Sequence, residues 1–208
     1  MDAEKTIAVM RMVGGHPCLD FVNTVDSRGE RWGPDLLRTY ADLIDWAQRA
    51  EVIDEELRGA LLAAASRRPA AARTALDRAK ILREAVYGIL RAEATDRTVP
   101  VSELKSLNEF SMRAMSKRSL SLRANRPTWR WNDSNDLDAV SHRVALAASE
   151  FIVSAADRRP VRECTGPNCG WLFLDTSRGG RRRWCSDETC GTHSRVRRFR
   201  NKLEAADR

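Results

Sequence analysis

Four cysteines near the C-terminal end, in the spacing Cys164-x4-Cys169-x15-Cys185-x4-Cys190, carry the clearest chemistry in this chain of 208 residues. Two close pairs of thiolates, joined by a loop long enough to fold back, form the donor set of a tetrahedral zinc site. Thr165-Gly166-Pro167-Asn168 can turn tightly enough to aim the first pair at one ion, and Gly170 relieves the backbone behind it. Four sulfurs complete the coordination of Zn2+ and leave no position for water or substrate, so the spacing predicts a single structural ion. His193, three residues past Cys190, could replace one sulfur, but with four cysteines present it reads as a helix-surface residue. A pair of disulfides is the rival account, and it does not suit a reducing cytosol.

The residues after the cysteines suggest what the metal scaffold presents. Acidic Asp187 and Glu188 suit a helix N-terminus, and Val196, Phe199 and Leu203 follow at i, i+3 and i+7 as one narrow apolar seam. Ser194, Arg197, Arg198 and Asn201 point away from that seam, with Arg195, Arg200 and Lys202 on its flanks. A zinc-anchored basic helix of this kind can enter a major groove, where arginine forks read guanine edges and other cations neutralise phosphates. Before it, Trp171–Leu174 reads as a strand, Ser177–Gly180 as a turn and Arg181-Arg182-Arg183-Trp184 as the returning strand, adding a second cationic surface. A solvated face is the plain reading of any charge run. Here the charge is confined, which favours nucleic acid: residues 158–208 hold 13 Lys/Arg against 6 Asp/Glu, while residues 1–157 hold 23 of each. Even with four thiolates set against one dication, the segment keeps about +5.

A second cluster lies near the other end. Gly14-Gly15-His16-Pro17-Cys18-Leu19-Asp20-Phe21-Val22-Asn23-Thr24 places a histidine, a thiol, a carboxylate and an amide within eight residues. Catalysis would need a nucleophile, a base and an orienting group to converge in space. The simpler expectation is a turn at Gly14-Gly15 and Pro17, a buried Cys18, and Asp20 or Asn23 satisfying backbone donors near a helix start. A third possibility is a small-molecule site lined by His16, Asp20 and Asn23. The chain is expected not to be an enzyme.

These groups need elements to position them, and residues 34–118 supply apolar positions at helical spacing. Pro34-Asp35 is expected to open a helix carrying Leu36, Leu37, Tyr40, Leu43, Ile44 and Ala47. Further helices are expected from about Asp54 to Ser66, from about Ala70 to Ala94 with Ala79, Leu82, Val86 and Ile89 buried, and from Pro100-Ser102 through Ala114. Alternation at Leu120, Leu122, Trp129 and Trp131, around Ala124-Asn125-Arg126-Pro127, predicts a β-hairpin. Its two tryptophans could stack on bases, but as same-face residues beside a helical layer they are expected in the core. A last helix begins near Asn135–Asp138 and buries Val140, Val144, Ala147, Phe151 and Ala155. His142 on it is expected to be a surface or packed histidine. The reading is mainly α: a helical domain with a small hairpin over residues 1–157, and a zinc unit over 158–208. A unit of about fifty residues holds little core, so the metal is expected to supply much of its folding energy.

No repeat of twenty to fifty residues is present, and no apolar run nears the roughly 18 residues of a membrane span. Met1-Asp2-Ala3-Glu4-Lys5 lacks the pattern of a secretory signal, so a cytoplasmic location is expected.

At these residues the chain resembles the bacterial CGNR zinc-finger proteins, whose N-terminal region is described as an ABATE or stress-induced transcription regulator domain. The likeness rests on Cys18-Leu19-Asp20-Phe21-Val22-Asn23-Thr24, on the four cysteines, and on Phe173-Leu174-Asp175, Ser177, Arg182-Arg183-Trp184-Cys185-Ser186, Cys190-Gly191 and Arg195–Arg200. It implies a treble-clef-like zinc finger on a helical domain, and regulation of transcription. Thr192 and His193 stand where the family's name motif has Asn and Arg, so the contact that pair makes is not carried over. Together, these readings predict a DNA-binding regulator whose helical part senses a small-molecule effector or forms a homodimer. The alternative is a zinc-stabilised protein-interaction or RNA-binding module. No membrane partner is expected.

Overall fold

The first three α-helices of this protein start where a side chain caps them. A computed structural model describes residues 5–29 and 31–206. Thr39 and Asp42 form a reciprocal capping box at the start of α2 (Tyr40–Arg49), and Asp54 accepts from Leu57 N at the start of α3 (Glu55–Arg67). Pro69 opens the long α4 (Pro69–Ala94), and α5 spans Val101–Ser116. The short α1 covers Pro17–Val22 and α6 covers Ala139–Val153. No helix among the described residues is long and apolar enough to cross a membrane.

The helix expected at Pro34-Asp35 starts instead at Tyr40. Asp35 is committed elsewhere, in a single bridge to Val25 and in a two-pronged ion pair with the buried Arg83 at 2.8 and 2.9 Å. The capping box thus outcompetes proline as the start signal. The expected stripe Ala79, Leu82, Val86 and Ile89 is buried, and α4 packs against α1, α2, α3, α5 and α6. Helix α6, expected to be capped by Asn135, starts at Ala139 after Asp138, whose carboxylate turns to Arg78 at 2.6 and 2.9 Å rather than capping it. Ala155 lies beyond the end of α6 and is exposed.

Strands β1 (Arg118–Arg123) and β2 (Arg126–Trp131) pair antiparallel, with Leu120 opposite Trp129. Ala124 and Asn125 both take left-handed φ, 48° and 62°, as a two-residue hairpin turn requires. The hairpin does not enter the core: Leu120 is 66 % exposed, Leu122 72 % and Trp129 51 %. The expectation of buried tryptophans fails because the helical layer closes without them, and the ribbon meets it only near its base. His142 is buried, with Nδ1 3.3 Å from Asp133.

The C-terminal stretch packs onto the helices through its own small sheet. Strand β3 (Val161–Glu163) pairs antiparallel with β4 (Leu172–Leu174). Arg181–Trp184, expected as the returning strand, is irregular, although Thr165 N donates to Arg183 O at 3.0 Å. The chain before Cys164 takes the place expected for it. β3 and β4 lie against α4, and Leu172 and Phe173 are fully buried in the same apolar core as Leu82 and Leu90.

The free edge of β4 is finished by the N-terminal segment. Asn23 Nδ2 donates to Leu172 O at 2.8 Å and its Oδ1 accepts from Leu172 N at 3.0 Å, so one side chain does the work of a neighbouring strand. Leu174 N donates to Gly14 O, Arg28 N to Cys169 O and Trp171 Nε1 to Val25 O. Replacing Asn23 with Ala strands two buried backbone groups, and we expect a loss of about 2–6 kcal/mol at roughly 1–3 kcal/mol per orphaned group. Urea unfolding of the zinc-loaded protein measures it; a midpoint unchanged from the parent would contradict this role.

Candidate zinc centre and basic surface

The first cysteine pair is set by the end of β3 and a tight turn. Cys164 N donates to Trp171 O at 2.8 Å, then Asn168 and Gly170 take left-handed φ of 58° and 67° to bring Cys169 back. At Gly166 a Cβ would stand 2.7 Å from Cys190 Cβ and 2.9 Å from its sulfur, so only glycine lets the two pairs close over one another. Cys185 follows the irregular segment, and Asp187–Gly191 winds one wide helical turn that carries Cys190 into α7 (Thr192–Ala206).

All four sulfurs lie within 4.8 Å of one another, and Cys169–Cys185 and Cys185–Cys190 are each 3.7 Å apart. Tetrahedral coordination at about 2.3 Å per Zn–S bond places sulfurs about 3.8 Å from each other. Disulfide sulfurs would be about 2.05 Å apart, and none of the five cysteines is bonded in that way. The donor set and its dimensions therefore fit one structural zinc held by Cys164, Cys169, Cys185 and Cys190. Gly166 N and Cys185 N both donate to the Cys164 sulfur, at 3.4 and 3.3 Å, which steadies its negative charge. His193 is exposed on α7 and is not among the clustered donors.

The cations predicted to touch nucleic acid divide into two sets. Arg182 turns inward: its Nε donates to Trp184 O at 2.9 Å, its Nη2 to Cys185 O, and its guanidinium covers the Phe173 ring at 4.6 Å. Arg195 grips Asp187 at 2.9 and 3.2 Å and reaches Thr192 Oγ1, locking the wide turn to the helix. Thr192, one of the two residues that depart from the family motif, is thus part of that lock. Arg181, Arg183, Arg197, Arg198, Arg200 and Lys202 are exposed and make no ion pair among the described residues.

Ser194, Arg197, Arg198, Asn201 and Lys202 border a groove of about 430 Å³ whose other wall is Thr165 and Pro167. The polar face of α7 therefore looks along the first cysteine turn, and Ser194 Oγ is buried there without a partner among the described residues. The Val196, Phe199 and Leu203 seam is 44 %, 64 % and 52 % exposed, so α7 leaves the body with its apolar stripe uncovered by the described residues. Arg181, Arg182 and Arg183 line a separate cleft of about 600 Å³ together with Arg162. Arg162 was not singled out in the sequence; its place two residues before Cys164 on β3 is the signal that could have shown it.

His16, Asp20 and Asn23 are engaged by the fold. The His16 ring stacks on Phe151 at 4.3 Å, and its Nδ1 caps α1 while lying 3.0 Å from the Cys18 sulfur. Cys18 is 1 % exposed, and burial pushes its thiol up. Asp20 Oδ1 accepts from Gly14 N at 2.8 Å, and burial raises its carboxyl to about 6. A cleft of about 730 Å³ lies elsewhere, between Lys5–Arg11, the loop around Trp32 and the cysteine turns, with His193 at its edge. The sequence carried no pattern for this cleft, because its walls come from four separated segments.

Comparison with family models places residues 15–155 under ABATE, described as "Putative stress-induced transcription regulator", and residues 160–202 under "CGNR zinc finger". No curated protein matches the chain. The centre predicts one zinc per chain, released by thiol modification and read with a chromogenic chelator. Cys185→Ser should lose the ion and lower the stability of the whole chain, because Cys164, Cys169 and Cys185 are part of the shared core. Undiminished zinc content in that variant would refute the ligand set.

Proposed function

The chain belongs to the ABATE family and carries a CGNR zinc finger after it, and on that footing we propose that it is a non-enzymatic, DNA-binding transcription regulator. In this reading the zinc finger docks on DNA through Arg197, Arg198, Arg200 and Lys202, with Arg181 and Arg183 reaching phosphates from the second surface. The observation that carries it is the coincidence of a four-thiol centre with six exposed cations that have no carboxylate partner among the described residues. Unpaired guanidinium groups on a rigid scaffold gain most from a polyanion, since each can neutralise a phosphate and release its counterion.

The same reading gives the helical part a sensing role. The 730 Å³ cleft has the volume of small-molecule sites, about 300–1,000 Å³, and its walls include both Trp32 of the helical part and Asn168, Cys169 and Cys190 of the finger. An effector there would touch both halves, and a differential contact of that kind is what shifts a population. The uncovered Val196, Phe199 and Leu203 stripe supports a second reading, in which α7 meets a protein partner or a second copy.

Binding of the zinc-loaded protein to fragments of its own upstream region, with excess nonspecific DNA, tests the first reading. Arg197→Glu is expected to keep its zinc and fold while binding more weakly, with a salt slope shallower by roughly 0.9 for each phosphate that is no longer neutralised. Full affinity in Arg197→Glu, or equal displacement of all fragments by competitor, would count against sequence-specific docking by the finger.

A further inference from the structure

Outside the finger, the β1–β2 hairpin concentrates positive charge, most of it without a carboxylate partner among the described residues. From Lys117 to Trp131 the chain has five cations and no acidic residue. Lys117 pairs with Asp136 at 2.8 Å; Arg118, Arg123, Arg126 and Arg130 make no ion pair among the described residues. Arg123 and Arg126 face each other across the last rung of the ladder, beside the left-handed turn. Like charges directly opposed on a strand pair weaken it, and no carboxylate among the described residues offsets the cost.

Strand alternation gives the ribbon two distinct faces. One carries Arg123, Arg126 and Arg130 with Ser119, Ser121 and Thr128. The other carries Leu120, Leu122 and Trp129, all more than half exposed. A stack stiffens its base: the Arg118 guanidinium lies 4.7 Å from the Trp129 ring centre and 5.1 Å from Trp131, and Arg143 covers Trp131 at 4.5 Å. The result is an exposed two-stranded arm with a cationic face and an apolar face.

We propose that this hairpin is a second nucleic-acid contact, a β-ribbon arm that enters a groove of duplex DNA. The inference rests on the DNA-binding reading of the finger. A two-stranded ribbon fits the major groove, about 12 Å wide. Arg123, Arg126 and Arg130 neutralise phosphates, and Leu120, Leu122 and Trp129 supply apolar contact to thymine methyls or base steps. Charge complementarity selects this occupant over a second copy of the chain, which would set one unpaired arginine cluster against another.

The test uses full-length zinc-loaded protein and a mixed-sequence duplex. The triple variant Arg123→Ser, Arg126→Ser, Arg130→Ser changes only exposed side chains, and its zinc content and melting verify the fold. Binding is expected to fall about tenfold or more at low salt, with a salt slope shallower by roughly 0.9 for each phosphate the arm no longer neutralises, and the hydroxyl-radical footprint should shorten. An unchanged footprint and slope in the triple variant, while Arg197→Glu binds weakly, overturns the arm and leaves the finger reading standing. Failure of the parent protein to bind duplex at any salt removes both. Polyglutamate held by the parent as tightly as duplex, and released by the triple variant, overturns the proposal by assigning the arm to an acidic protein.

Discussion

One side-chain amide determines how the two halves of this protein relate. β4 is paired with β3 along one edge, and its other edge is buried against helices, where an unpaired peptide group is costly. Asn23 supplies both a donor and an acceptor to Leu172, and Gly14 O receives Leu174 N just beyond it. Asp20 in turn holds Gly14 N, so α1 and the loop before it act as a substitute strand. The cysteine turns are then fixed against the helical part by Arg28 N on Cys169 O and by Trp171 on Val25 O. A finger too small to form a full core is in this way built into a larger one.

Charge follows the same division between inside and outside. Arg28, with no exposed side-chain surface, donates to Val22 O and to both oxygens of Glu84, and its guanidinium lies 3.9 Å from the Tyr87 ring centre. Arg83 ties Asp35, Glu84 and Thr24 together. Burial opposes ionisation of Asp35 and Glu84, yet Arg83, with Leu37 N and Lys80, holds Asp35 below its ordinary value, and Arg28 and Arg83 do the same for Glu84. These buried cations are fully partnered, as low dielectric surroundings demand. The exposed cations of α7 from Arg197 onward, of residues 181 and 183 and of the hairpin tip have no such partners among the described residues.

Arginines that look alike in sequence therefore differ in role. Arg182 and Arg183 are adjacent, but one hydrogen-bonds the backbone around Cys185 and the other is exposed. Arg195 and Arg198 sit one helical turn apart, and only the first has Asp187 within reach. Trp129 and Trp131 alternate as core residues should, yet they flank an arginine on an exposed ribbon. Periodicity reports which side chains share a face, and nothing in it says whether another element covers that face.

Zinc ligation was legible in the sequence because its chemistry is local. Two short turns with glycine at the crowded position, and four thiols at ligand spacing, leave little choice of donor set. Helix existence was legible for a similar reason, since capping and apolar periodicity act within a few residues. What the tertiary structure decided is everything that depends on contact between distant segments. That includes Asn23 completing β4 across 149 positions of sequence, the start of α2 yielding Asp35 to Arg83, the return of β3 rather than Arg181–Trp184 to β4, and the cleft around Trp32. These outcomes turn on which buried polar group finds its partner, and a partner's distance in space is not written in its distance along the chain.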